Sequence, residues 1–181
     1  MLRRITMLIC GVATVVIFIL MMFPPYGSLS IEKHAGGYVM PDLVMGYNSE
    51  YVYAMINAAD AQAYAFIKNF YRMNYLLLVF AVTAMVLTST IPCKRIEGKA
   101  KNIFFIIDIF STVIFAITGI LENVNLEYVF NQYPMVLTGI ISAASICTII
   151  KWVFFMVWLL SMVISLAIAI RTRIMRLKKE S

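Results

Sequence analysis

The chain has 181 residues, 62% of them hydrophobic and 13% charged, with a mean hydropathy of +0.89 and a net charge of +6. That composition cannot supply the polar surface of a soluble domain, so the class is integral membrane protein. The basic excess is divided among the ends of apolar runs rather than gathered in one patch, which excludes a nucleic-acid surface.

The first apolar run, Ile5–Phe23, follows Met1-Leu2-Arg3-Arg4. It is longer than the ~7–15 residue core of a signal peptide and no A-x-A-like site follows, so a retained first span is expected. Pro24-Pro25-Tyr26-Gly27 should end it. An ordered outer loop rich in Gly and Pro runs on to Asn48, and its His34, with no Cys or second His nearby, reads as a loop histidine rather than a metal ligand. Asn48-Ser49-Glu50 has the form of a helix start. From there an amphipathic helix is expected to about residue 73, at the interface or capping the bundle, running almost directly into a second span at 74–91. Aromatics from Tyr51 to Tyr75 suit the headgroup level.

A short basic link, Cys93–Lys101, makes spans two and three antiparallel neighbours. Span three, 102–121, carries Asp108, Ser111, Thr112, Phe115, Gly119 and Glu122 on one narrow face of an otherwise apolar helix. It should emerge at Glu122-Asn123 and turn near Tyr133-Pro134. Met135–Ile150 reads as an outer helix or a partly inserted extension of span four (151–170). An unbroken Met135–Ile170 helix would measure roughly 54 Å, so it must protrude, tilt or break near Lys151-Trp152. A basic tail, 171–181, suits anionic lipid.

With both termini cytoplasmic, Arg3, Arg4, Lys94, Arg95, Lys99, Lys101, Arg171, Arg173, Arg176, Lys178 and Lys179 all lie inside. Only Lys33, Lys68, Arg72 and Lys151 lie outside, which obeys the positive-inside rule. The expected fold is all-α: one polytopic four-helix membrane bundle over 1–181, with amphipathic helices on the outer side. Cys10, Cys93 and Cys147 form no C-x-x-C and read as small apolar residues.

Two places carry candidate chemistry. Asp108 lies inside span three, where a carboxylate costs a few kcal/mol unless it is protonated or bonded. It reads as a proton or cation site, an enzyme's acid, or a packing group bonded to Thr88, Ser161 or Ser165. Glu122, Asn123 and Lys151 sit at the outer ends of spans three and four. They read as a charge pair fixing helix register, or as the floor of an outward pocket lined also by Asp60, Tyr64, Thr148 and Trp152. Catalytic candidates are Glu122, Asp108 and Asp60, although no G-x-S-x-G, H-E-x-x-H, P-loop or Cys–His pattern is present.

The functional expectation is a small cell-membrane protein acting by helix packing or through an outward lipid or small-ligand pocket, as an accessory subunit. Its partners would be the bilayer, anionic lipid, a membrane-protein partner or a second copy. No cofactor, metal or nucleic acid is implied. The alternatives are a sterol-isomerase-like intramembrane enzyme and a proton- or cation-coupled carrier.

Met40-Pro41-Asp42-Leu43 with Gly46-Tyr47, Asp108 through Glu122-Asn123, Tyr133-Pro134, and Thr148 with Lys151-Trp152 resemble a group of small bacterial four-span membrane proteins. The resemblance covers roughly residues 40–170 and implies the layout without an activity. Those proteins show an acidic residue and an F-P pair at the entry to span two, where this chain has Arg72-Met73-Asn74-Tyr75. The claudin-like proteins share only the plan of four spans and a long first outer loop, without a loop Trp or paired Cys here.

Overall fold

A computed structural model describes residues 2–23, 27–93, 96 and 98–180, with the backbone alone at Cys93 and 176–180. The expected Pro24–Tyr26 helix stop, part of the 93–101 link and the far basic tail fall outside the described side chains.

Among the described residues the regular structure is all helical, with four helices long and apolar enough to cross a membrane. These are α1 (Leu2–Met22), α4 (Ala61–Cys93), α5 (Lys99–Gln132) and α6 (Thr138–Glu180). Two short helices, α2 (Ser28–His34) and α3 (Ser49–Ala58), and a 3-10 turn at Pro41–Leu43 lie between α1 and α4. α5 packs against both α4 and α6, and α1 packs along α4.

The apolar core does not run the length of this bundle. It gathers at the end carrying α2 and α3, where Ile31, Met40, Val52, Met55, Ile56 and Phe70 meet Leu126, Val129 and Ile141. The rest of the bundle is held mainly by small and polar residues. Ser89 on α4, Asp108, Ser111 and Thr112 on α5, and Ser161 and Ser165 on α6 are buried, while apolar side chains such as Ile106, Val113, Ile117 and Leu160 point outward. That inversion is the packing expected where lipid, not water, surrounds the helices. Gly119 permits a close approach: a Cβ there would meet Leu78 Cδ2 on α4 at 2.7 Å.

One feature differs from the sequence expectation, and two others extend or decide it. The amphipathic helix is not one helix to residue 73. It breaks at Ala59–Asp60, and the chain from Ala61 through span two is a single helix of 33 residues. The cause is Asp60, whose Oδ1 accepts from the Gln62 and Ala63 N–H groups as an N-cap, while its Oδ2 meets His34 Nδ1 at 2.8 Å. α5 continues beyond the outer end of span three to Gln132, and the chain turns at Tyr133-Pro134. Of the two readings of Met135–Ile150, an outer helix or an extension of span four, the structure has the extension: α6 runs unbroken through Lys151-Trp152, and its 43 residues make one helix of roughly 64 Å.

At ~1.5 Å per residue, α4 and α5 also exceed the ~30 Å hydrocarbon layer by about 20 Å. The excess forms a scaffold on which α2 and α3 sit. Tyr hydroxyls fasten it. Tyr53 donates to Met135 O (3.1 Å) and accepts from Leu137 N–H (2.6 Å), Tyr133 donates to Asn57 Oδ1 (2.6 Å), and Tyr51 to Val39 O (2.9 Å).

The Ala63 N–H and His34 hold the half-exposed Asp60 carboxyl below its ordinary range. A depressed carboxyl contributes stability that is present above the ordinary aspartate pKa and is lost as pH falls through the lowered value. Asp60→Ala is therefore expected to lower the thermal midpoint. Asp60→Asn, which keeps a cap acceptor, should lose less and should remove this acid-side component, as read by thermal scans across the acidic range. Gly119→Ala is expected to cost about 1–3 kcal/mol by overpacking against Leu78, measured by unfolding in detergent.

Candidate functional site

The polar groups of the α2–α3 end meet at one node, because α4 and α6 offer them at helical spacing and α5 as a neighbouring pair. Thr148 and Lys151 lie three residues apart on α6, and Tyr71 and Asn74 three apart on α4. Glu122-Asn123 supply the α5 side. The Pro41–Leu43 turn brings Asp42 to Asn74, and Tyr47 follows in the same segment.

Glu122 is wholly buried and both of its oxygens are taken. Lys151 Nζ donates to Oε2 as a buried ion pair, and the Thr148 hydroxyl donates to Oε1. The Tyr47 hydroxyl lies 3.4 Å from the Thr148 oxygen. A second chain of bonds runs beside the first. Asn74 Nδ2 donates to Asp42 Oδ2 (2.6 Å) and to Asn123 Oδ1 (2.8 Å), so one amide ties the turn, α4 and α5 together. Asp42 Oδ1, the Tyr71 hydroxyl and Asn123 Nδ2 are buried without a hydrogen-bond partner. Burial pushes the Asp42 carboxyl up, with Lys151 opposing, and burial likewise pushes the Tyr47 hydroxyl up.

Of the expected lining, Glu122, Asn123, Thr148 and Lys151 are brought together. Trp152 stands at the edge: its ring centroid is 5.8 Å from Lys151 Nζ, and the indole packs edge-on to Phe155. Asp60 is occupied by its cap and by His34, and Tyr64 is exposed beside it on α4. Trp152 also lines an apolar groove along α6 with Met45, Val153, Met156, Val157 and Leu160. This groove lies outside the polar node rather than above it.

Asp108 forms a separate inner site, fourteen residues from Glu122 on the same helix. Its buried carboxyl faces the hydroxyls of Ser161 and Ser89, without closing a hydrogen bond of standard geometry to either. Ser89 receives the Trp158 indole N–H at 3.0 Å. Thr88 and Ser165, the other expected partners, turn back onto their own helices. No group of three His, Cys, Asp or Glu able to hold a metal occurs among the described residues.

The chain matches no protein-family model, no curated protein and no solved structure. The likeness to four-span bacterial proteins therefore rests on its short motifs. Those motifs nevertheless supply much of the node: Asp42, Tyr47, Glu122, Asn123, Thr148 and Lys151 all belong to them. Reading for acid–base candidates missed Asp42, Tyr47, Tyr71 and Asn74. The available signal was an uncharged amide at the mouth of span two, opposite another on span three.

Removing one partner of a buried pair strands the other. Lys151→Met is expected to cost about 3–5 kcal/mol, and the double change Glu122→Gln with Lys151→Met distinctly less than Lys151→Met alone. Unfolding of the purified protein in mixed micelles measures both.

Proposed function

We propose that the chain is a non-enzymatic, multi-pass protein of the cell membrane, with both termini cytoplasmic. It works as an accessory subunit, through helix surfaces held in register by the Glu122 node. The observation that carries this reading is the saturation of Glu122. A general acid or base needs a carboxyl oxygen within reach of a substrate proton. Here both oxygens are enclosed and engaged by Lys151 and Thr148, so the strongest catalytic candidate serves packing.

The lipid-facing surfaces offer the material for association. α1 buries only Cys10, Ile17 and Met21, leaving most of its apolar circumference open, and the groove beside Trp152 is apolar throughout. A helix so weakly covered by its own chain suits lipid or a neighbouring helix. The carrier reading ranks behind, because Asp108 is closed in by serines between α4 and α6 rather than lining a path. The asymmetric distribution of basic residues supports the orientation.

Direct extraction into polymer-bounded native discs, followed by mass measurement, tests the reading. A defined second polypeptide or a second copy is the expected result, and a lone monomer surrounded only by lipid would count against it. Reporter fusions at both ends should read cytoplasmic. Asp108→Asn should leave ion uptake by vesicles unchanged.

A further inference from the structure

Three buried ionisable groups meet at the node: Asp42, Glu122 and Lys151. With both carboxyls ionised, the site would hold two negative charges against one positive one. Asp42 is 4% exposed and Glu122 0%, so water cannot compensate the surplus. A buried unpaired charge is costly enough that the group takes up a proton instead.

The hydrogen bonds show where that proton belongs. Glu122 accepts from two donors, the Lys151 ammonium and the Thr148 hydroxyl, and both bonds favour the ionised form. Asp42 differs. Its donors are neutral, the Asn74 amide on Oδ2 and its own backbone N–H beside the carboxyl, and Oδ1 closes no hydrogen bond of standard geometry. The charged and titratable groups around Asp42 are Tyr47 from its own segment, Tyr71 and Tyr75 from α4, Glu122 from α5 and Lys151 from α6. Lys151 is the one cation in that set, and it is already paired with Glu122.

We propose that the node is a proton-binding site, holding one proton on Asp42 Oδ1, and that the segment 27–48 docks on the bundle in this protonated form. An alkali cation fits less well. Along the same Asn74-linked chain, the other unpartnered atom is Asn123 Nδ2, an N–H donor that cannot ligate a cation. The raised Asp42 carboxyl fits this placement. The sign follows from linkage. The contribution is complete below the ordinary aspartate pKa and is lost as pH rises through the higher folded value, so the docked segment loosens on the alkaline side. The inference goes beyond the accessory reading and is independent of any partner.

Infrared difference spectroscopy of the full chain in lipid nanodiscs tests it, with aspartate carboxyl-labelled by carbon-13 and Asp108→Asn as the background. A protonated-carboxyl stretch is expected at neutral pH. It should shift with the aspartate label, disappear as pH is raised, and be lost in Asp42→Asn. Glu122→Gln removes the surplus charge, so the stretch should also be lost at neutral pH in that variant. If Asp42→Asn fails to fold, the isotope shift in the Asp108→Asn background decides alone. Absence of an aspartate-shifted stretch, its survival in Asp42→Asn, or its disappearance when sodium replaces choline at constant pH would overturn the proposal.

Discussion

The Glu122–Lys151 pair sits where two kinds of packing meet, and both depend on it. It joins α5 to α6 at a height where neither helix has yet entered the apolar core of the α2–α3 end. A buried ion pair contributes little net stability over an apolar pair of the same shape. Its directionality is what matters, because a one-residue slip of either helix would leave both charges stranded. Thr148, one turn before Lys151, adds a second bond to the same carboxylate. Two points of attachment define rotation as well as height, so α5 and α6 are set in register before any apolar contact is counted.

On one side of this pair the hydrophobic effect operates. α2, α3 and the protruding parts of α4, α5 and α6 bury Ile, Met, Val and Phe side chains against one another, as any water-surrounded core does. On the other side it has no purchase, because lipid is as apolar as the side chains. There the helices turn serines, threonines, Gly119 and Asp108 inward and leucines and isoleucines outward. One continuous helix such as α5 therefore changes its inward-facing residue type part-way along its length. The change falls between Gly119 and Leu126, and Glu122-Asn123 occupies it.

Much of this was legible in the residues, and the limits have physical causes. Apolar runs with short basic links at one side define four long helices, because hydrocarbon thickness and the positive-inside rule act on the chain without tertiary detail. Glu122, Asn123 and Lys151 could be matched because each stands at the same end of a neighbouring helix. The helix break at Asp60 was missed for a different reason. With no Gly or Pro from Ser49 to Ile91, the chain offers no obvious stop, yet a capping aspartate engaged by His34, twenty-six residues away, is enough to start a new helix. The continuity of α6 through Lys151 was one of two open readings, because a lysine at the end of an apolar run also reads as a boundary. The facing Glu122 carboxylate is what pairs its buried charge between the helices. Asp42 was the least visible, since a turn residue becomes part of a helix-borne site only through folding.

Asp42 also decides how the α2–α3 layer is attached. The turn at Pro41–Leu43 reaches the bundle through Asn74, whose single amide spans Asp42 and Asn123. Apolar contacts around Met40 and Tyr47 hold the same segment, but they are non-directional and tolerate sliding. The amide relay is directional, and it ends on atoms that lack partners: Asp42 Oδ1 on one side and Asn123 Nδ2 on the other. Unpartnered buried polar atoms oppose folding and are retained at a cost of about 1–3 kcal/mol each. Their placement beside one surplus carboxyl, rather than dispersed through the helices, makes charge the variable that governs attachment. A layer fastened by hydrophobic contact alone would be indifferent to protonation. This one is fastened through a carboxyl whose one neighbouring cation among the described residues, Lys151, is already paired with Glu122.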